Sequence, residues 1–231
     1  MIVTDRFVFL HLHKSGGTFA NECILRFVQG ARMIGYHLPR HMLPAEDSAK
    51  PVLGLVRNPW SYYVSWYAFQ TERPQPNPLF RILSDNGTLG FEGTIRNMLD
   101  LGNGGAKLAP LLAALPGNYL NRGLNLPNFA LQPIASTGRG FYSFLYHHLY
   151  DGTGEAAHVG IIERFPEDFP ALLEGVGQAV TPAMRAFIAG EKPRNTSKHD
   201  DFRRYYGEIL RDLVAEKDAD IIRAHGYTFD T

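Results

Sequence analysis

The chain has 231 residues, of which 45% are hydrophobic, and its 23 basic and 23 acidic side chains give a formal net charge of zero. This length suffices for one sizeable core, and the balanced charge removes any overall bias towards nucleic acid or an anionic membrane. The single cysteine, Cys23, excludes an intrachain disulfide. An anion site in this chain must therefore be built locally.

The first predicted elements are a strand over 7–12 and a helix over 17–29, separated by a Lys-Ser-Gly-Gly-Thr turn at 14–18. The glycines let the backbone approach an anion, Thr18 can cap the helix, and Lys14 adds a positive charge. Because the lysine precedes both glycines, the order differs from that of a Walker A loop, which weakens an interpretation as an ordinary ATP or GTP site. A plain strand-to-helix turn is the alternative.

A second strand–helix pair follows a short predicted strand near 32–36. The apolar run 52–57 predicts a buried strand that ends in Arg57, and the segment 60–71 predicts a helix that carries Ser65 about two turns from its start. In a parallel sheet, we expect both side chains to lie near the edge where ligands bind.

The middle of the chain is interrupted by three prolines between 74 and 78, which end the preceding helix. Helices are predicted over 91–101 and along the aromatic stripe 141–149. We interpret the region 74–150 as a helical insert, which is either a substrate lid or a surface excursion without a role in binding.

The segments HLHKSGGTF and VRNPWSYYVSWY resemble the two cofactor motifs of the sulfotransferases that use 3′-phosphoadenosine 5′-phosphosulfate, in the Golgi-type carbohydrate and bacterial branch. The resemblance implies an α/β fold of the three-layer, P-loop-NTPase-like kind, with a central, mainly parallel β-sheet flanked by helices. It implies one sulfotransferase domain over 1–231.

The resemblance also implies a role for each motif residue. The 5′-phosphosulfate is held by the first motif and the 3′-phosphate by the second; the matching residues are Lys14, Ser15, Gly16, Gly17, Thr18 and Phe19 for the former, and Arg57 and Ser65 for the latter. The chain departs from the usual pattern at His13, Ser15 and Phe19, where the family usually has Pro, Thr and Ser. Since Phe19 cannot donate a hydrogen bond, one side-chain contact to the phosphate is in doubt.

The C-terminal part resembles the same family more loosely. The segment 158–165 is similar to its late strand, and 194–198 with the tyrosines at 205 and 206 is similar to its closing loop and helix. Cofactor contacts are implied for Asn195, Ser197 and Lys198. An ordinary helix start is the alternative for this Asn-Thr-Ser run.

Sulfuryl transfer needs a base for the proton of the acceptor, and histidine is the commonest choice near neutral pH. Our first candidate is His37, in a Tyr-His step similar in position to the histidine segment of uronyl 2-O-sulfotransferases, and our second is His41. The remaining candidates are His11 and His13 on the first strand, and the carboxylates of Glu46 and Glu92. Lys14 is expected to neutralise charge on the leaving phosphate, and Arg40 is a candidate for binding an acidic acceptor.

The predicted activity is transfer of a sulfuryl group from 3′-phosphoadenosine 5′-phosphosulfate to a hydroxyl of a carbohydrate-like or small-molecule acceptor, without a metal. The alternatives are a P-loop-type nucleotide-dependent kinase and a non-catalytic module that binds adenosine bisphosphate. The N-terminus has no signal-peptide pattern and no segment has the length of a membrane span, so we expect a cytoplasmic protein with neither membrane nor nucleic-acid partners. The acceptor and the oligomeric state stay open.

Overall fold

The computed structural model describes residues 1–190 and 199–230. Within these residues the chain is an α/β protein with five short strands and eleven α-helices. The strands are β1 (Ile2–Val3), β2 (Val8–Phe9), β3 (Arg32–Met33), β4 (Val52–Val56) and β5 (His158–Ile161). The helices are α1 (Gly17–Phe27), α2 (Pro59–Thr71), α3 (Pro78–Leu83), α4 (Phe91–Asp100), α5 (Leu108–Ala114), α6 (Asn128–Leu131), α7 (Phe141–Tyr150), α8 (Phe165–Gly175), α9 (Pro182–Gly190), α10 (Glu208–Lys217) and α11 (Ala219–His225).

The described residues fall into two compact units. The first, which we name the sheet unit, comprises residues 1–57 and 146–190 and contains all five strands. The second, the helical unit, comprises residues 58–145 and 199–230. The single domain predicted over 1–231 stays a prediction.

The sheet has the strand order β3-β1-β2-β4-β5 and is mixed. Strands β2, β4 and β5 pair in parallel, whereas β1 pairs antiparallel with both β2 and β3. The expectation of a mainly parallel sheet is therefore wrong. The antiparallel pairing of β1 with β2 results from the turn at Thr4. The hydroxyl of Thr4 donates to the carbonyl of Phe7 at 2.8 Å and accepts from the amide of Phe7 at 2.9 Å, which folds β1 back onto β2.

One face of the sheet packs against helices in a continuous apolar core. Because side chains alternate along a strand, Phe9, Leu53 and Leu55 point to this face together. They meet buried residues of α1, α8 and α9, including Cys23, Phe169 and Phe187. Cys23 is thus a buried core thiol, and burial raises its pKa to about 12.

The other face of the sheet carries Tyr150, from the end of α7. Its ring lies where a Cβ at Gly54 would be, so only glycine at this position of β4 leaves room for it. The hydroxyl of Tyr150 donates to the carbonyl of Leu55 at 3.0 Å and accepts from the amide of Leu55 at 3.1 Å. Tyr150 therefore fixes the end of α7 to β4.

The helical unit has an aromatic core with one buried acid. Tyr62 stacks on Tyr142 at 3.8 Å between ring centroids. The fully buried Asp218 accepts from the hydroxyl of Tyr63 at 2.7 Å and from the amide of Ser143 at 2.9 Å. Burial raises the pKa of Asp218 to about 6.

Most predicted elements are present, with ends that differ from the predicted ones. The helix predicted over 60–71 is α2, and it begins one residue earlier because Asn58 accepts hydrogen bonds from the amides of Trp60 and Ser61. The first predicted strand, 7–12, ends at Phe9. The region 74–150 contains helices α3 to α7, and its role as a lid stays a prediction. In the described part of the chain, no helix is long and apolar enough to cross a membrane.

Candidate functional site

The turn between β2 and α1 contains two residues with a left-handed backbone. Lys14 has a φ of 57° and Gly16 a φ of 75°, so two residues of this turn are left-handed. Alternating conformations of this kind turn successive amide groups towards one side, which makes a concave site for an anion. A Cβ at Gly17 would overlap the ring of His11, so this second glycine is required by its packing.

The N-terminus of α1 adds to this site. Gly16 occupies the N-cap position, no side chain caps the helix, and its first turn holds no acidic residue. The first amides of a helix lack intrahelical partners, and its dipole places positive potential there. An eleven-residue helix that starts in this way is suited to bind a phosphate or sulfate group.

Arg57 connects the two sequence motifs. It follows the last residue of β4, and its Nη1 donates to the carbonyl of Lys14 at 3.3 Å. Because β2 and β4 are parallel neighbours, the turn after β2 and the end of β4 lie at the same edge of the sheet. The guanidinium of Arg57 therefore lies against the backbone of the loop that contains Lys14.

Three histidines gather beside this loop. The ring of His37 stacks on that of His13 at 3.8 Å between centroids and lies 4.4 Å from that of His11. His37 has a φ of 49°, a conformation that a non-glycine residue rarely adopts. Backbone strain of this kind concentrates at functional sites, where the surroundings hold it in place.

The protonation of His37 follows from its hydrogen bond. Its Nδ1 lies 2.7 Å from the carbonyl oxygen of His11, and since a carbonyl only accepts, Nδ1 carries the proton. Burial lowers the pKa of His37 to about 4, so the ring is neutral at pH 7 and its Nε2 has a lone pair. Nε2 has no hydrogen-bond partner among the described residues, so its lone pair is available to a ligand.

His11 has a structural role at the same site. It is buried, its ring covers Gly17, and its Nδ1 accepts from the side-chain amide of Asn21 at 3.3 Å. Burial lowers the pKa of His11 well below the usual range, and the nearby His37 and His13 add to this effect. His11 therefore packs the loop as a neutral side chain.

Two further residues of the first motif make contacts within the protein. Ser15 is buried and its hydroxyl donates to the carbonyl of His13 at 3.3 Å. Phe19, where the related motif usually has Ser, stacks on Phe187 at 5.2 Å and belongs to the core of the sheet unit. Thr18 is exposed at the start of α1.

Further predicted site residues fall in both units. His41 is exposed and its ring faces that of His148 at 6.0 Å, so it does not join the cluster around His37. Ser65 is buried on α2 in the helical unit, and Glu92, also in that unit, pairs with Arg96. Glu46 is exposed in a short 3₁₀ helix, and Asn195, Ser197 and Lys198 lie outside the described residues.

The sequence analysis did not predict the packing contact between Gly54 and Tyr150. The signal was present, because a glycine inside an apolar strand commonly marks a close approach by another part of the chain. The identity of the approaching residue, 96 positions further on, had no sequence signal.

In comparison with known proteins, no family model matches this chain, and no curated protein matches it. Across residues 1–190 and 199–230, no three or more His, Cys, Asp or Glu side chains are arranged so that they could hold a metal ion.

Proposed function

We propose that this protein is a sulfotransferase, which moves a sulfuryl group from 3′-phosphoadenosine 5′-phosphosulfate to a hydroxyl of a carbohydrate-like or small-molecule acceptor. The observation that carries the proposal is the hydrogen bond from Arg57 to the carbonyl of Lys14, which joins the two motifs at one sheet edge. A P-loop-type kinase is the competing activity, and the position of Lys14 ahead of both glycines counts against it.

The residues of the loop fit the donor. The amides at the start of α1 are suited to hold non-bridging oxygens of its 5′-phosphate, because the helix has neither a side-chain cap nor an acidic first turn. In this proposal, the ammonium group of Lys14 donates to the bridging oxygen, where negative charge grows as the sulfur–oxygen bond breaks. Arg57 contributes its positive charge to the 3′-phosphate.

In this proposal, His37 is the base that takes the proton of the acceptor. As the new sulfur–oxygen bond forms, the hydroxyl proton of the acceptor passes to Nε2 of His37, and the positive charge that results is stabilised by the bond from Nδ1 to the carbonyl of His11. His13, stacked on the same ring, holds its orientation.

The experiment that tests the donor site is calorimetric titration with 3′-phosphoadenosine 5′-phosphate, ADP and ATP. We expect the wild-type protein to prefer the bisphosphate, and Arg57→Ala to weaken its binding by about tenfold or more, since a charge-assisted contact is lost. Arg185→Ala, which removes a surface arginine of α9 paired with Glu174, is the matched control and should bind as the wild type does. A preference for ATP would favour the kinase instead.

Turnover is tested with Lys14→Ala. Removal of one preorganised donor commonly costs a hundredfold or more in rate, so we expect this variant to lose measurable sulfuryl transfer across a panel of hydroxyl acceptors. Lys50→Ala, in the same unit but paired with Asp47, should retain it. Full activity of Lys14→Ala would refute the mechanism, and bisphosphate binding without turnover of any acceptor would favour a non-catalytic binding module.

A further inference from the structure

A cavity of about 450 Å³ lies in the sheet unit, lined by Arg40, Tyr146, Tyr150 and the loop 151–157. Its volume is within the range of small-molecule sites. Two consecutive backbone carbonyls connect the cavity with the histidine cluster. The carbonyl of Leu10 lies 3.5 Å from the hydroxyl of Tyr150, and the carbonyl of His11 accepts from His37.

Arg40 is the main charged group of this cavity. It is only 8% exposed, and its one hydrogen bond within the described residues runs from Nη1 to the carbonyl of Glu155 at 2.7 Å. No carboxylate of residues 1–190 or 199–230 forms an ion pair with it. Burial of a charge is costly unless the charge is paired, and a guanidinium has five N–H donors to satisfy.

The acid in the lining, Asp151, forms its ion pair with another residue. The carboxylate of Asp151 accepts from Nδ1 of His147 at 2.9 Å, within the last turn of α7 and the residue that follows it. Burial lowers the pKa of His148, the residue after His147, to about 4 and keeps that ring neutral at pH 7.

The loop 151–157 packs closely around the side chain of Arg40. A Cβ at Gly152 would lie 2.8 Å from Cδ of Arg40, so a side chain there would displace the arginine. Gly154 has a φ of 97°, which only glycine adopts readily, and it lies beside Nη2. Two glycines therefore leave the space through which Arg40 reaches the cavity.

We propose that this cavity binds an organic molecule through a carboxylate, with Arg40 as its partner and the ring of Tyr146 against its carbon skeleton. A guanidinium matches a carboxylate in a two-pronged geometry, and aromatic faces bind sugar or other ring carbons. The lining carries one cation, Arg40, and one carboxylate, Asp151. This balance suits a ligand with a single negative charge better than a phosphate with two. If this molecule is also the acceptor of the sulfuryl group, an extension that rests on the proposed function, the acceptor carries an acidic group.

The test measures binding without any nucleotide, by titration followed with nuclear magnetic resonance. The probes are two pairs of similar size and different charge: glucuronate with glucose, and benzoate with benzamide. We expect each carboxylate to bind the wild-type protein about tenfold or more tightly than its neutral partner. Arg40→Gln should abolish this preference, while Arg185→Gln, at a surface arginine of the same unit, should keep it.

A second variant guards against a loss of folding in Arg40→Gln. Ala156→Trp fills the cavity from an exposed loop position and keeps the arginine, so it should weaken all four probes. Equal binding of charged and neutral probes by the wild type, no binding of the carboxylates at millimolar concentration, or tighter binding of inorganic phosphate overturns the proposal. Failure of 3′-phosphoadenosine 5′-phosphate to bind would overturn the sulfotransferase proposal alone, because these titrations contain no donor.

Discussion

Two ionisable groups of the sheet unit, His37 and Arg40, and one of the helical unit, Asp218, are satisfied differently. In the sheet unit, His37 keeps a lone pair without a partner in the described residues, and Arg40 has a carbonyl for its only hydrogen-bond partner there. In the helical unit, both oxygens of Asp218 accept hydrogen bonds from buried groups. Polar groups of the first kind are available to a ligand, whereas those of the second kind hold helices together, so we place the chemistry in the sheet unit.

The largest expected effect of this difference is the acid sensitivity of the sheet unit. The pKa of His37 is about 4 in the folded state and about 6.5 when unfolded, so its contribution to stability is present above pH 6.5 and is lost as the pH falls through 4. A shift of this size corresponds to about 3 kcal/mol, and the lowered pKa of His11 acts in the same direction.

The measurement is the free energy of opening of β4 amides from hydrogen exchange at pH 4 and pH 7. His37→Gln, which can still donate to the carbonyl of His11, should reduce the difference between the two pH values. An unchanged difference in this variant would mean that His37 titrates normally and is not buried as a neutral base.

The helical unit should show the opposite dependence, with a somewhat smaller size. The folded pKa of Asp218, about 6, lies above its usual 3.8, so the stability that this group contributes is present below pH 3.8 and is lost as the pH rises through 6. Exchange of the α7 amides that precede Tyr146, and of α10, reports on this unit. In Asp218→Asn that loss should disappear, whereas greater protection of the wild type at pH 7 than at pH 4 would contradict the assignment.

The smallest expected effect is the loss of stability when one methyl group is added at Gly17. We expect Gly17→Ala to reduce the free energy of unfolding by about 1–3 kcal/mol, because the new Cβ overlaps the ring of His11. Gly117→Ala in the helical unit, where the added Cβ meets no atom within 4 Å, is the control and should be neutral. Urea denaturation measures both, and equal stability of the two variants would show that His11 moves aside without cost.

The sequence predicted the fold best where local signals agree. Residues 52–57 are an unbroken apolar run up to Arg57, and the Asn58-Pro59 pair marks the start of α2, so both elements were placed within one residue. Strand β1, with only two residues, has too little periodicity to detect and was missed, whereas β2 lies within the strand predicted over 7–12. The expectation of a mainly parallel sheet came from the family resemblance, and the antiparallel pairing of β1 contradicts it.

The candidate site was predictable in part for the same reason. The loop residues and Arg57 have local motif signals, and their meeting at Lys14 follows from parallel pairing of β2 and β4. The contact of His41 with His148 had no such signal. Phe19 was treated as an altered phosphate contact, whereas its position in α1 places it in the core.

The contact between Gly54 and Tyr150 also has a consequence for the evolution of this chain. Because the ring occupies the volume of the missing side chain, a larger residue at 54 is tolerated only together with a smaller one at 150. The two positions are thus expected to vary as a pair among related sequences. Since Tyr150 also lines the cavity, an exchange at this pair would change the shape of the binding site through a substitution in the middle of a strand.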